Sequence, residues 1–192
     1  FENSGNVTIG NLTQINNYAI VVINQGQLKN NATGLIEANN VKNYQGVLMY
    51  TNSLINNSGI FKIGNLSPIN YTGIEMYSGA KFNNLMGANL EVNNTTLYDG
   101  IDLHDVNTEF TNSGIIKIGN LSNVKKSGIF VISSSKFINN STGQIEINRI
   151  ANEDGIVITD AGSTFTNHGN IQLGNAYSIQ RHGIQIVNSG IV

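Results

Sequence analysis

The chain has 192 residues, a formal net charge of −2 and only 11% charged residues. No basic stripe is available to neutralise phosphates, which argues against nucleic-acid binding, and the absence of cysteine removes disulfides, thiolate chemistry and the common zinc sites together. No apolar run reaches the length of a membrane span, and 40% hydrophobic residues at regular positions point to a folded chain in spite of its heavy use of Asn.

The first predicted element is a short strand carrying Phe1-Glu2-Asn3. Val7 and Ile9 then alternate around Thr8, and this period of two marks a second strand. Ala19-Ile20 opens a third, in which Ile20 and Val22 alternate in the same way. At Leu28 the series begins again: Leu28 with Asn30, Ile36 with Ala38, then Gly46-Val47 with Met49. Later units are anchored on Leu54, Phe82, Phe110, Phe137 and Phe165, each with Asn two residues on, and their Gly-Ile signals fall at Gly73, Gly100, Gly128, Gly155 and Gly183. A repeat of about 27 residues lies in the range of solenoids. Three short strands per unit, with Gly and Asn turns and no helical pattern, describe an all-β chain: a parallel β-helix of about seven coils, forming one domain over residues 1–192.

Stacking of coils gives each position neighbours of its own kind. The Asn column reads Asn3, Asn30, Asn56, Asn84, Asn112, Asn139 and Asn167, and it points inward; such amides are expected to bond to one another along the axis. The outward column between the apolar positions of the second strand carries Glu37, Lys62, Glu91, Lys117 and Glu146, so each Lys is expected between two Glu on adjacent coils. Asn11, Asn40, Asn65, Asn94, Asn120 and Asn175 form a further column, broken by Arg149. Odd coils have a longer connection before the Gly-Ile strand than even ones, so the true repeat is a pair of coils.

These phrases resemble the right-handed parallel β-helix of the pectate-lyase-like superfamily, and more narrowly the repeat stalks of large secreted bacterial adhesins. The resemblance covers essentially the whole chain and rests on Phe-x-Asn, Gly-x-Ile-x-Ile and Gly-Ile-x-Ile. It implies right-handedness, export and display at the cell surface as a segment of a longer chain or fibre. The absence of a polar cap before Phe1 or after Val192 leads to the same expectation of continuation or end-to-end stacking.

Catalytic members of that superfamily place acidic clusters on an outward strand face, which directs attention to Glu75, Asp99, Asp102, His104 and Asp105. Glu75 and Asp102 share a column on adjacent coils, a spacing that suits a retaining glycosidase, with His104 as acid–base partner. Against this, Asp99 precedes Gly100 as Asp154 precedes Gly155, in turn chemistry, and no long loop is available to wall a cleft. The expectation is a non-enzyme without cofactor or metal. Asp160 lies two coils from Asp105, too far for shared ligands; His168 and His182 are turn residues without a role. Asn-x-Ser/Thr triplets at Asn11, Asn65, Asn70 and Asn120 are attributed to composition.

The outward face of the Gly-Ile strand departs from a solvated solenoid. Val21, Leu48, Phe130 and Val157 lie in one of its columns, and Ile23, Tyr50, Tyr77, His104, Ile132 and Val187 in the next. An apolar strip of this kind marks a contact surface, for self-association, for another segment of the parent chain, or for surface carbohydrate on a Tyr50–Tyr77–His104 platform. The expected function is therefore a structural and adhesive segment, with a polysaccharide-binding or polysaccharide-cleaving β-helix as the alternative.

Overall fold

The alternation of inward Ile, Val, Leu and Phe with outward polar residues is satisfied in a computed structural model that describes residues 1–188 and 190–192. Strands Glu2–Asn3, Gln27–Asn30, Leu54–Asn57, Lys81–Asn84, Glu109–Asn112, Lys136–Asn139 and Thr164–Asn167 form one seven-stranded parallel sheet. Asn6–Ile9, Leu35–Ala38, Ile60–Ile63, Asn89–Val92, Ile115–Ile118, Gln144–Ile147 and Asn170–Leu173 form the second. Ile20–Val22, Val47–Met49, Ile74–Met76, Ile101–Leu103, Ile129–Val131, Ile156–Ile158 and Ile184–Ile186 form the third. Every strand pairs with its counterpart one coil on, so the chain is an all-β parallel solenoid of seven coils, with no helix among the described residues. No helix is therefore long and apolar enough to cross a membrane.

Inside the prism formed by the three sheets, side chains one coil apart stack. The rings of Phe82, Phe110, Phe137 and Phe165 lie nearly parallel, with centroids 4.7, 4.9 and 4.9 Å apart, a spacing imposed by the distance between adjacent strands. A fourth stacked position runs through Ile15, Val41, Ile69, Thr95, Val124, Ile150 and Ile179, joined by single parallel bridges in the connection before the third sheet. Val41, Ile69, Val124 and Ile150 are buried there. A single inward residue per coil has no alternation to announce it, so the pattern of the sequence passes over this corner.

The Asn column is continuous. Asn3 donates to Asn30, Asn30 to Asn57, Asn57 to Asn84, Asn84 to Asn112, Asn112 to Asn139 and Asn139 to Asn167, each from Nδ2 to Oδ1 at 2.7–2.9 Å. The third rung corrects the expectation: it is Asn57, not Asn56. Leu28 lies opposite Ile55 and Lys29 opposite Asn56, which places Leu54 and Asn56 on the outer side of the strand. Both Leu54-x-Asn56 and Ile55-x-Asn57 satisfy the phrase, and coils of 27 and 28 residues both occur along the ladder, so spacing alone does not choose between them. Asn56 instead accepts a bond from Asn83 at 2.8 Å.

Glu37, Lys62, Glu91, Lys117 and Glu146 are direct neighbours across the second sheet, as expected. Yet no salt bridge joins them among the described residues. Asparagines hold the carboxylates: Asn11 donates to Glu37 at 3.1 Å, Asn65 to Glu91 at 2.5 Å and Asn148 to Glu146 at 3.0 Å. A short amide fixed in a turn loses less freedom on bonding than a long exposed Lys, whose pairs are weak.

The two-coil repeat has a local cause. In the odd coils a glycine follows the second strand in the left-handed region, as at Gly64 with φ of 69°, and a Cβ there would stand 2.1 Å from the Asn93 carbonyl oxygen. In the even coils the left-handed residue comes one position later, at Asn40, Asn94 and Arg149; Asn tolerates that region best among residues with a side chain. The column running from Asn11 to Asn175 is thus not one ladder. Asn39, Asn93 and Asn148 donate back to Asn11, Asn65 and Asn120 within each pair of coils. Their own Oδ1 atoms accept backbone N–H groups of Leu66, Leu121 and Ala176 from the next pair. Arg149 keeps the turn and lays its guanidinium on the Tyr177 ring.

Candidate functional site on the third sheet

The outward columns of the third sheet stand in register: Val21, Leu48, Glu75, Asp102, Phe130, Val157 and Gln185 are successive partners. The neighbouring column, immediately after the strands, is tied by backbone bonds from Tyr50, Tyr77, His104, Ile132, Thr159 and Val187, each to the coil before. Exposure is uneven. Val21, Ile23 and Tyr50 are each about half exposed, at 45–46%. Leu48, Tyr77, His104, Phe130 and Ile132 are half-buried. Val157 is 4% exposed, so it offers little to a partner.

At the centre of this face the chain buries charge. Residues i and i+2 lie on the same side of a strand, and Tyr77 and His104 use that relation to lean back over Glu75 and Asp102. The Tyr77 hydroxyl donates to Glu75 Oε1. His104 Nε2 lies 3.0 Å from Asp102 Oδ1, off the hydrogen-bonding direction. The Tyr77 and His104 rings stack at 4.6 Å with planes 14° apart. Under this cover Glu75 and Asp102 are only 8% and 7% exposed although they point away from the core. Glu75 Oε2 is buried without a hydrogen-bond partner.

Burial raises the Glu75 carboxyl above its ordinary range; the Tyr77 bond opposes this and nearby Asp102 adds to it. Burial likewise raises the Tyr77 hydroxyl, with Glu75 adding to it. For His104 burial disfavours the charged ring, but Asp102, Glu75 and Asp105 together outweigh it and hold the imidazole above its usual value. Asp99 lies at the turn before the strand, where burial, helped by Asp102, pushes its carboxyl up to about 7 against the Ser127 N–H bond.

Asp105 and Asp160 are turn residues with φ of 71° and 69°; Asp105 accepts from the Ser78 N–H at 3.2 Å. His168 is an exposed turn residue, whereas His182 has its Nδ1 2.6 Å from the buried Asp154 carboxylate. A second aromatic column flanks the strand on its other side. Tyr18 stacks on Tyr44 at 4.8 Å, Tyr44–Tyr71 and Tyr71–Tyr98 follow as tilted pairs at 6.4 and 4.5 Å, and Lys126 Nζ lies over Tyr98 at 4.5 Å. Its signal was present in the sequence, since Tyr44, Tyr71 and Tyr98 each stand two residues before a Gly that opens the strand. Comparison of the chain with protein-family models, curated proteins and solved structures finds no match in any of the three.

Proposed function

We propose that this chain is a structural, adhesive segment of an extracellular bacterial surface protein or fibre, associating through the outward face of the third sheet. The observation that carries the reading is the exposed apolar patch of Val21, Ile23 and Tyr50 around the half-buried Leu48, set on a backbone that three seven-stranded sheets make rigid. Side chains held by such a sheet lose little freedom on contact, which favours lateral association over a flexible surface of the same composition. Export and display rest on the likeness of the repeat phrases to adhesin stalks. Seven coils at about 4.8 Å span roughly 34 Å, so reach requires many such segments. Sedimentation velocity tests the association: the chain is expected to self-associate with rising concentration, or to capture its parent-chain neighbour, and a Val21→Lys, Tyr50→Lys double variant to lose this. A chain monomeric at every soluble concentration that also fails to bind adjoining segments overturns the reading.

A second reading, a polysaccharide-binding or polysaccharide-cleaving β-helix, is favoured by the buried Glu75–Asp102–His104 group, since burial raises the Glu75 carboxyl toward the range that suits a general acid, with a second carboxyl and an imidazole beside it. The stacked rings of Tyr77 and His104 count against a platform. Rings stacked face to face present edges to solvent, and a pyranose ring needs a face. Polysaccharide turnover lost in a Glu75→Gln, Asp102→Asn variant would select this alternative.

A further inference from the structure

We propose that Glu75, Asp102 and His104 form a binding site for one divalent transition ion of the Zn²⁺ type. Each of the three supplies a donor atom, and these atoms all lie within 4.8 Å of one another. Metal–donor distances of about 2.0–2.2 Å set neighbouring donors roughly 3–3.5 Å apart around a tetrahedral ion, so the group closes onto an ion by small side-chain rotations without backbone movement. Glu75 Oε2 is the decisive atom. It belongs to a residue more than nine-tenths buried, has no hydrogen-bond partner, and sits beside a second carboxylate. A buried anionic oxygen in this position is costly unless a cation meets it.

The surroundings match a metal centre in three further respects. The Tyr77 hydroxyl engages Glu75 Oε1 and so leaves Oε2 free, as an outer-shell group does when it orients a ligand. Stacking on Tyr77 holds the His104 ring in place. The coils on either side place Leu48 and Phe130 in the same column, which confines the charge to one site and keeps it in a poorly hydrated setting. Two carboxylates with a neutral imidazole balance a divalent charge. One nitrogen and two oxygens favour a borderline transition ion over Ca²⁺, which takes six to eight oxygens. The inference is independent of the adhesive reading, because the ion is held whether or not the face binds a partner.

Isothermal titration of the chelator-treated chain with Zn²⁺ tests it. One equivalent is expected to bind, with release of protons and a rise in melting temperature. His104→Gln and Asp102→Asn are each expected to weaken binding by at least about tenfold, while His182→Gln, at the other buried-carboxylate contact, leaves it unchanged. Co²⁺ in place of Zn²⁺ gives visible d–d bands that report the nitrogen ligand even if a variant melts early. Absence of binding at millimolar Zn²⁺, undiminished affinity in His104→Gln, or equal stabilisation by Ca²⁺ and Zn²⁺ would each overturn the proposal.

Discussion

Asn84 donates its side-chain amide to Asn112 Oδ1 at 2.8 Å and a second bond to the Ile115 carbonyl at 3.1 Å, so one buried side chain ties its coil to the next through both side chain and backbone. All six rungs of the ladder point the same way. Replacing an interior Asn therefore leaves a donor on one side and an acceptor on the other without partners. Asn112→Leu is expected to cost roughly 1–3 kcal/mol per orphaned group. Asn112→Asp should cost more, because it still accepts from Asn84 but faces Asn139 Oδ1 with an oxygen and adds a buried charge. Urea denaturation of the two variants orders them, and an Asp variant as stable as wild type contradicts the ladder.

The Phe stack predicts a graded loss. Phe110 is fully buried between Phe82 and Phe137, and Phe110→Ala is expected to lose about 3–5 kcal/mol through lost transfer energy and the cavity left behind. Phe110→Leu should lose less than half of that, since Leu28 and Ile55 already fill the equivalent position in earlier coils. Equal losses in the two variants would mean that ring stacking, rather than filled volume, dominates the column.

The interior glycines before the third sheet, Gly46, Gly73, Gly100, Gly128 and Gly155, are required by crowding. A Cβ on Gly100 would lie 2.7 Å from the Gly128 carbonyl oxygen and 3.0 Å from Ile118 Cγ2, whereas one on Gly5 would meet nothing within 4 Å. Gly100→Ala is expected to destabilise by about 1–3 kcal/mol. Gly5→Ala should be neutral or slightly stabilising, through the reduced freedom of the unfolded chain. Thermal melts of both variants check the contrast.

Asp99 makes stability depend on pH in an unusual direction. Its folded carboxyl titrates at about 7, above its ordinary value, because it is buried. The folded chain then holds a proton that the unfolded chain has released, so this contribution is complete below about pH 4 and disappears as pH rises through about 7. Asp99→Asn keeps an oxygen for the Ser127 N–H and removes the titration. Measured in chelator, the wild-type melting temperature should fall between pH 5 and 8 relative to the variant, by an amount equivalent to a few kcal/mol at most. Parallel profiles would show that Asp99 titrates normally.

Much of the architecture was legible because every coil repeats the same short-range pattern. Alternation around Thr8, Glu37 and Lys62 marks the second sheet, and recurring Phe-x-Asn marks the first, without knowledge of any partner. The Glu75–Asp102 column was also visible as a column. Its burial was not, since that depends on Tyr77 and His104 leaning back over the carboxylates, and rotamers leave no trace in spacing. The charge column shows the same division: its register was readable, while the choice of Asn11 and Asn65 over Lys62 as partners of the glutamates depended on which side chain a turn had already immobilised.

The sequence by itself determined the coil length, the three strands of each coil and the inward side chains of the second and third sheets, because these follow from local alternation and from a period that the chain states seven times over. Only the tertiary structure decided that Ile55 and Asn57, rather than Leu54 and Asn56, join the stacked columns, that Asn39 closes on Asn11, and that Glu75 and Asp102 are shielded. The first two depend on contacts between residues about one coil apart, where two registers compatible with the same local pattern differ in which polar groups find partners; the third depends on the rotamers of Tyr77 and His104, which stacking across the coils holds over the carboxylates.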